Sequence, residues 1–180
     1  MKFFQIVMSV VVGLAAGRIP VTSCNLGAGR RDRLVQLLKY MMATEALIGL
    51  VFTLFFVLCP DLIIAAFGGQ AEGIEYVSFS RICIRSFLLL LPFSCVNKAT
   101  FIFLQSLGYC LLSAGLSIVR EIVLGAGLPV VLGMLGGLYG LIWFMAESDF
   151  ITILIAVPVW IWTAKQLKSG TLSATEMAKV

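Results

Sequence analysis

The chain has 180 residues, of which 61% are apolar and 12% are charged, and its mean hydropathy is +1.07. Soluble domains carry about 45–50% apolar and about 25% charged residues, so this composition predicts an all-α integral membrane protein. The net charge of +4 is explained by basic loops on one side of a membrane and does not require nucleic acid as a partner.

Five stretches are apolar enough to cross a bilayer, which takes about 20 mostly apolar residues. The predicted spans are residues 3–24, 40–59, 82–105, 118–135 and 140–162. The third is the least regular, because Pro92 would kink it, and two short half-helices are the alternative. Residues 1–168 are therefore predicted to form one transmembrane lobe, followed by a cytoplasmic tail over residues 169–180.

The orientation follows from the loop charges. A polar stretch between the first two spans carries Arg30, Arg31 and Arg33, and loops rich in Lys and Arg stay cytoplasmic. The segment 61–76 is acidic and contains no Lys or Arg, as expected of an outside loop. Counting the spans from the basic loop places the C-terminus on the cytoplasmic side. The expected location is a plasma membrane, such as a bacterial inner membrane. The basic loop is otherwise interpreted as an ordinary connector that only sets topology.

Polar residues at membrane depth are functional candidates, because burying them in hydrocarbon is expensive. The candidates for a substrate or ion pathway are Asn97, Lys98, Gln105, Glu147 and Asp149. The candidates for an inner gate are Glu45, Arg120 and Glu121. For the gate residues, ordinary structural ion pairs near the interface are the alternative interpretation.

Glu147 and Asp149 are two residues apart, hence about 200° apart around a helix with 3.6 residues per turn. One of them should therefore face a neighbouring helix, and Lys98 is the candidate partner. A midplane carboxylate could relay protons or bind Na⁺; a structural Glu147–Lys98 pair is the alternative. Arg120 is expected to pair with the helix of Asp149 or with that of Glu45.

The chain contains no histidine, which removes the commonest metal ligand and any Ser–His or Cys–His nucleophile pair. The five cysteines are scattered, with no Cys-x-x-Cys pair, and are expected to be free. A membrane enzyme would therefore lack its machinery, and no metal site or bound cofactor is expected.

Four segments resemble the MATE (multidrug and toxic compound extrusion) transporters. The quoted segments are Asn25-Leu-Gly-Ala-Gly-Arg-Arg-Asp-Arg33, Phe103-Leu-Gln-Ser-Leu-Gly108, Leu116-Ser-Ile-Val-Arg120 and Gly137-Leu-Tyr-Gly-Leu-Ile-Trp143, the last followed by Asp149. They are similar to that family's Asn-x-Gly-Ala-Gly loop, to its Phe-x-Gln-Ala-x-Gly helix end, to the start of its next-to-last helix and to its last helix.

The resemblance implies the C-terminal six-helix lobe of a twelve-helix antiporter, without that lobe's first helix. It implies export of small organic, often cationic compounds by alternating access, driven by Na⁺ or H⁺. The N-terminal lobe of the same transporter, or a second copy, would be the partner within the membrane lipid.

The chain departs from the family at the span 82–105, which has no acidic residue where one branch binds its cation. Another branch couples through the other lobe, so the resemblance does not place the coupling-ion site within these 180 residues. Two alternatives stay open. One is a lipid-linked oligosaccharide flippase of the same superfamily, which Arg85 and Lys98 would suit. The other is a truncated or non-transporting membrane subunit.

Overall fold

The computed structural model describes residues 2–66 and 73–169, and in these ranges the regular structure is helical. The predicted tail beyond residue 169 and residues 67–72 of the predicted outer loop lie outside the described residues. The helices are α1 (Lys2–Gly17), α2 (Ile19–Gly27), α3 (Arg31–Leu58), α4 (Pro60–Ala66), α5 (Ile74–Leu88), α6 (Leu91–Ser106), α7 (Cys110–Ile118) and α8 (Gly125–Ser169). A π-helical segment, Val119–Leu124, joins α7 to α8.

The helices long and apolar enough to cross a membrane are Phe4–Gly27, Arg31–Leu58, Cys110–Gly137 and Ile142–Lys168. The pair Val77–Leu88 and Leu91–Ser106 adds a fifth candidate span if it counts as one broken span. The all-α membrane fold expected from the composition is confirmed. Helix α3, which contains the second predicted span, begins at Arg31, nine residues before the predicted start at residue 40, so Glu45 lies near the middle of this helix.

The third span is bent by 40° between α5 and α6. The break falls at Leu89 and Leu90, and Pro92 occupies the first turn of α6. Proline is tolerated there because the first amides of a helix have no partner within the helix. Of the two predictions for this span, the single helix kinked at Pro92 is wrong, and the alternative of two consecutive helices is the one found.

The last two spans are joined by a sharp change of direction at Gly137, in the gap between the spans predicted at 118–135 and 140–162. Gly137 has φ 56° and ψ −137°, a conformation that favours glycine. The break divides α8 into a first arm over residues 125–136 and a second arm over residues 138–169. The second arm carries Glu147 and Asp149.

Helix α6 lies at the centre of the lobe: it joins Leu116 of α7 in a small apolar core and contributes to two larger ones. One core joins Leu34, Met41, Phe103 and Leu167, which come from α3, α6 and the end of α8. The other joins α1, α3 and α5 around Leu91 and Cys95 of α6. Because α6 is packed on several sides, its polar residues Ser94 and Asn97 are buried and must find partners among the neighbouring helices.

Candidate functional site

A buried ion pair connects the last two spans. Arg120 lies in the π-helical segment and Asp149 in the second arm of α8; their side chains are 7% and 3% exposed. The Nε and Nη2 groups of Arg120 donate to Oδ1 of Asp149 at 2.9 and 2.7 Å. Two charge-assisted bonds to one oxygen hold the guanidinium firmly against the carboxylate.

Helix α6 completes this cluster from a third span. Ser94 donates to Oδ2 of Asp149 and accepts a bond from Nη2 of Arg120 at 3.3 Å. Asn97, one turn further along, donates from Nδ2 to the backbone carbonyl of Asp149 at 3.1 Å. Ser94, Asn97, Arg120 and Asp149 therefore form one polar centre that links three spans, and we call it the central cluster.

A second ion pair adjoins the central cluster. Nζ of Lys98 lies 2.6 Å from Oε1 of Glu121, and the same oxygen accepts from Nη1 of Arg120 at 2.7 Å. Glu121 is half exposed, so this pair lies at the open edge of the cluster. Lys98, Arg120, Glu121 and Asp149 together carry two positive and two negative charges.

A separate pair lies between the first two spans. Nη1 of Arg18 lies 3.2 Å from Oε1 of Glu45, which is fully buried, and Nη2 of Arg18 donates to the hydroxyl of Thr44 at 3.0 Å. The other carboxylate oxygen of Glu45 has no hydrogen-bond partner among the described residues. Glu45 is thus held by one bond, whereas Asp149 is held by several.

The predicted pathway residues separate into two groups. Asn97 and Asp149 meet in the central cluster and Lys98 lies beside it, whereas Gln105 and Glu147 are exposed elsewhere on α6 and α8. The predicted opposition of Glu147 and Asp149 around their helix is confirmed by their exposure. The suggested Lys98–Glu147 pair is wrong, because the ammonium of Lys98 lies against Glu121 on the adjacent span.

The predicted gate residues do not form one layer. Arg120 was expected to pair with the helix of Asp149 or with that of Glu45, and it pairs with Asp149. Glu45 pairs with Arg18. Whether any of these residues gates a pathway stays a prediction. Ser94 was missed, although it lies three residues before Asn97 and so on the same helix face.

The local backbone explains how Arg120 reaches the cluster. It lies in a π-helical turn, whose wider spacing rotates the following residues relative to an α-helix. Such single turns occur frequently at functional sites. Hydropathy carries no signal for a π turn, so the sequence predicted an apolar span but not this feature.

The central cluster is suited to a reaction in which the carboxylate of Asp149 exchanges Arg120 for another cation. Asp149 is the carboxylate, and Arg120 occupies the position that a cation would otherwise take. A proton or metal cation on Asp149 would compete with the guanidinium for the charge of the carboxylate. No group of three or more His, Cys, Asp or Glu side chains that could hold a metal ion occurs within residues 2–66 and 73–169.

The family comparison agrees with this helical lobe. The model of the MatE family matches residues 1–131, almost three quarters of the chain. The chain belongs to the MatE family. The match covers the central-cluster residues Ser94, Asn97 and Arg120 of this MatE chain and ends before Asp149. No curated protein and no solved structure matches the chain.

The family assignment confirms the resemblance seen in the sequence and makes the chain a MATE-type, multi-pass membrane transporter protein. It does not distinguish drug efflux from lipid-linked oligosaccharide flipping. The two functions differ in the charge of the substrate, so the balance of basic and acidic groups around the central cluster is relevant to the choice between them.

Proposed function

We propose that the MatE chain forms a lobe of a cation-coupled antiporter that exports small organic, often cationic compounds. The observation that carries the proposal is the buried central cluster, in which Arg120 and Asp149 join the fourth and fifth spans and α6 joins both. Ionisable groups buried between membrane helices are costly and commonly belong to substrate or ion pathways.

The charge balance favours organic cations over an anionic lipid-linked saccharide. Each basic group beside the cluster has a carboxylate partner, Lys98 with Glu121 and Arg120 with Asp149. An anionic substrate would be attracted by unpaired basic groups in a cavity, and Arg85, in the last turn of α5, is exposed and lies outside the central cluster. The flippase alternative is therefore less well supported by the arrangement of charges.

Coupling would act through the bonds of Asp149. A proton or Na⁺ on this carboxylate would weaken its attraction to Arg120 and would leave Arg120 with Glu121 as its remaining carboxylate partner. Helix α6 is bonded to Asp149 through Ser94 and Asn97, so the change would reach three spans at once. A discrete exchange of partners of this kind provides two states for alternating access.

The lobe would work beside a second lobe, either the N-terminal half of a transporter or another copy of this chain. Many described apolar side chains face outward, including Leu47, Leu54, Ile122 and Leu154. Lipid and a second lobe are both compatible with such a surface.

Transport by the assembly purified from its own membranes tests the proposal. We would reconstitute that assembly in vesicles and measure uptake of the fluorescent cation ethidium under an imposed Na⁺ or H⁺ gradient. The proposal expects uptake that one gradient drives and that an ionophore for the same ion abolishes.

A parallel assay with a fluorescent lipid-linked saccharide separates the two transport functions. Saccharide flipping without ethidium uptake would replace the proposal with the flippase. Absence of both, in vesicles shown to contain the folded protein, would leave a non-transporting subunit as the better account.

A further inference from the structure

Two cavities lie one after the other along the seam between α3 and α8. The first has a volume of about 570 Å³ and is lined by Gly29, Arg30, Arg31, Asp32, Arg33 and Lys168. The second has a volume of about 360 Å³ and is lined by Leu38, Lys39, Met42, Trp160, Ile161 and Ala164. We call them the basic cavity and the apolar cleft.

The basic cavity has the chemistry of a phosphate site. Its lining contains three arginines and one lysine against a single carboxylate, that of Asp32, which gives a net charge of +3. Arginine binds phosphate through two parallel N–H···O bonds, and basic pockets between membrane helices bind anionic headgroups. Three of the basic groups come from one local run, and the fold brings the fourth, Lys168, to them from at least 135 positions further along the chain.

The apolar cleft has the chemistry of an acyl-chain site. Leu38, Met42 and Ile161 present aliphatic or thioether groups, and Trp160 presents an indole whose Nε1 is already bonded to Thr100 at 2.8 Å. The side chain of Lys39 adds an aliphatic stem to the wall and an ammonium that can extend toward headgroups.

The order of the two cavities matches the shape of a phospholipid. On α3, Leu38 follows Arg33 by five residues, or about 7.5 Å along the axis. On α8, Ala164 precedes Lys168 by four residues, or about 6 Å. Both helices therefore lead in the same direction from the basic cavity to the apolar cleft.

The basic cavity lies where the two membrane-spanning helices end. Arg31 begins the span on α3, and Lys168 ends the one on α8. This position is the headgroup level for a lipid whose chain lies along the seam.

We propose that this seam is a binding site for one anionic phospholipid, with its phosphate in the basic cavity and an acyl chain in the apolar cleft. The site is distinct from the central cluster and does not depend on the transported substrate. A lipid bound there would contact both the loop before α3 and the end of α8. Helix α8 also contains Asp149.

Native mass spectrometry of the purified full chain, with long-chain phosphatidylglycerol and phosphatidylcholine as competing probes, tests the proposal. A cation near an anionic headgroup contributes on the order of fivefold in binding. The double variant R33Q/K168Q should therefore lose at least about tenfold in phosphatidylglycerol binding. The matched variant R85Q/K165Q removes the same two charges from exposed positions outside the cavity and should bind as the parent does.

The charge-retaining variant R33K/K168R should keep most of the binding, which separates charge from misfolding. Phosphatidylglycerol binding no tighter than phosphatidylcholine binding to the parent, or unchanged binding by R33Q/K168Q, would overturn the proposal.

Two further arms distinguish a lipid from other occupants. A164F should fill the cleft and weaken long-chain phosphatidylglycerol severalfold, whereas A114F, at an exposed site on α7, should not. Full displacement of the lipid by millimolar glycerol phosphate, with no effect of A164F, would replace the lipid with a simple phosphate site. A lipid-independent dimer that R33Q/K168Q or A164F breaks would instead make the seam an interface between copies.

Discussion

Removal of the negative charge at Asp149 should destabilise the lobe by leaving Arg120 buried without its main partner. Losing one member of a buried ion pair costs about 3–5 kcal/mol. In D149N the guanidinium keeps its bonds to the half-exposed Glu121, at 2.7 Å, and to the hydroxyl of Ser94, at 3.3 Å. We therefore expect a loss near the lower end of the range, about 3 kcal/mol.

The double variant R120M/D149L should recover most of this loss, because it removes both charges and fills the space with apolar groups of similar size. Replacing a whole buried pair in this way is often neutral or stabilising, so we expect about 1 kcal/mol or less of destabilisation. E147Q is the matched control, because Glu147 is exposed two residues away, and its effect should stay within about 0.5 kcal/mol.

The free energy of unfolding is measurable in mixed micelles by titration with SDS, followed by tryptophan fluorescence. The native signal comes from Trp143, Trp160 and Trp162. Equal stabilities of D149N and E147Q would refute the reasoning. A double variant less stable than D149N would also refute it, since no charge would then be left uncompensated.

Two other predictions use the same titration. A Cβ on Gly49 would lie 2.5 Å from Cα of Pro92, so G49A should push α3 away from α6. We expect this overpacking to lower the free energy of unfolding by about 1–3 kcal/mol. G115A has open space and should be neutral or up to about 1 kcal/mol stabilising; equal losses at the two sites would contradict the close packing. R18M should cost about 3 kcal/mol by leaving the carboxylate of Glu45 unpaired. E45Q should cost clearly less, because Arg18 is 23% exposed and can be solvated; the reverse order would contradict the described pair.

Much of the fold follows from local properties of the sequence. Runs of apolar residues indicate the helices, and the gap between the spans predicted at 118–135 and 140–162 contains the break at Gly137, whose conformation only glycine adopts easily. The helical period also separated Glu147 from Asp149 correctly, because a difference of two residues places them on opposite faces.

The partners within the site could not be predicted in the same way. Lys98 pairs with Glu121 because α7 and α8, which flank the π-helical segment, both pack against α6, and such long-range packing has no local signal. The break at Leu89 and Leu90 illustrates the same limit, since Pro92 indicated a bend but not the residue at which α5 ends. Resemblance supplied the family, which the match over residues 1–131 confirms.

The central claim is that Asp149 in the central cluster couples an ion gradient to export of organic cations. Its most direct test is ethidium uptake into vesicles by the reconstituted assembly, compared between D149N and E147Q at equal amounts of folded protein. The account predicts that D149N loses gradient-driven uptake and that E147Q keeps it. Equal uptake by D149N and the parent, or loss in both variants, would contradict the claim.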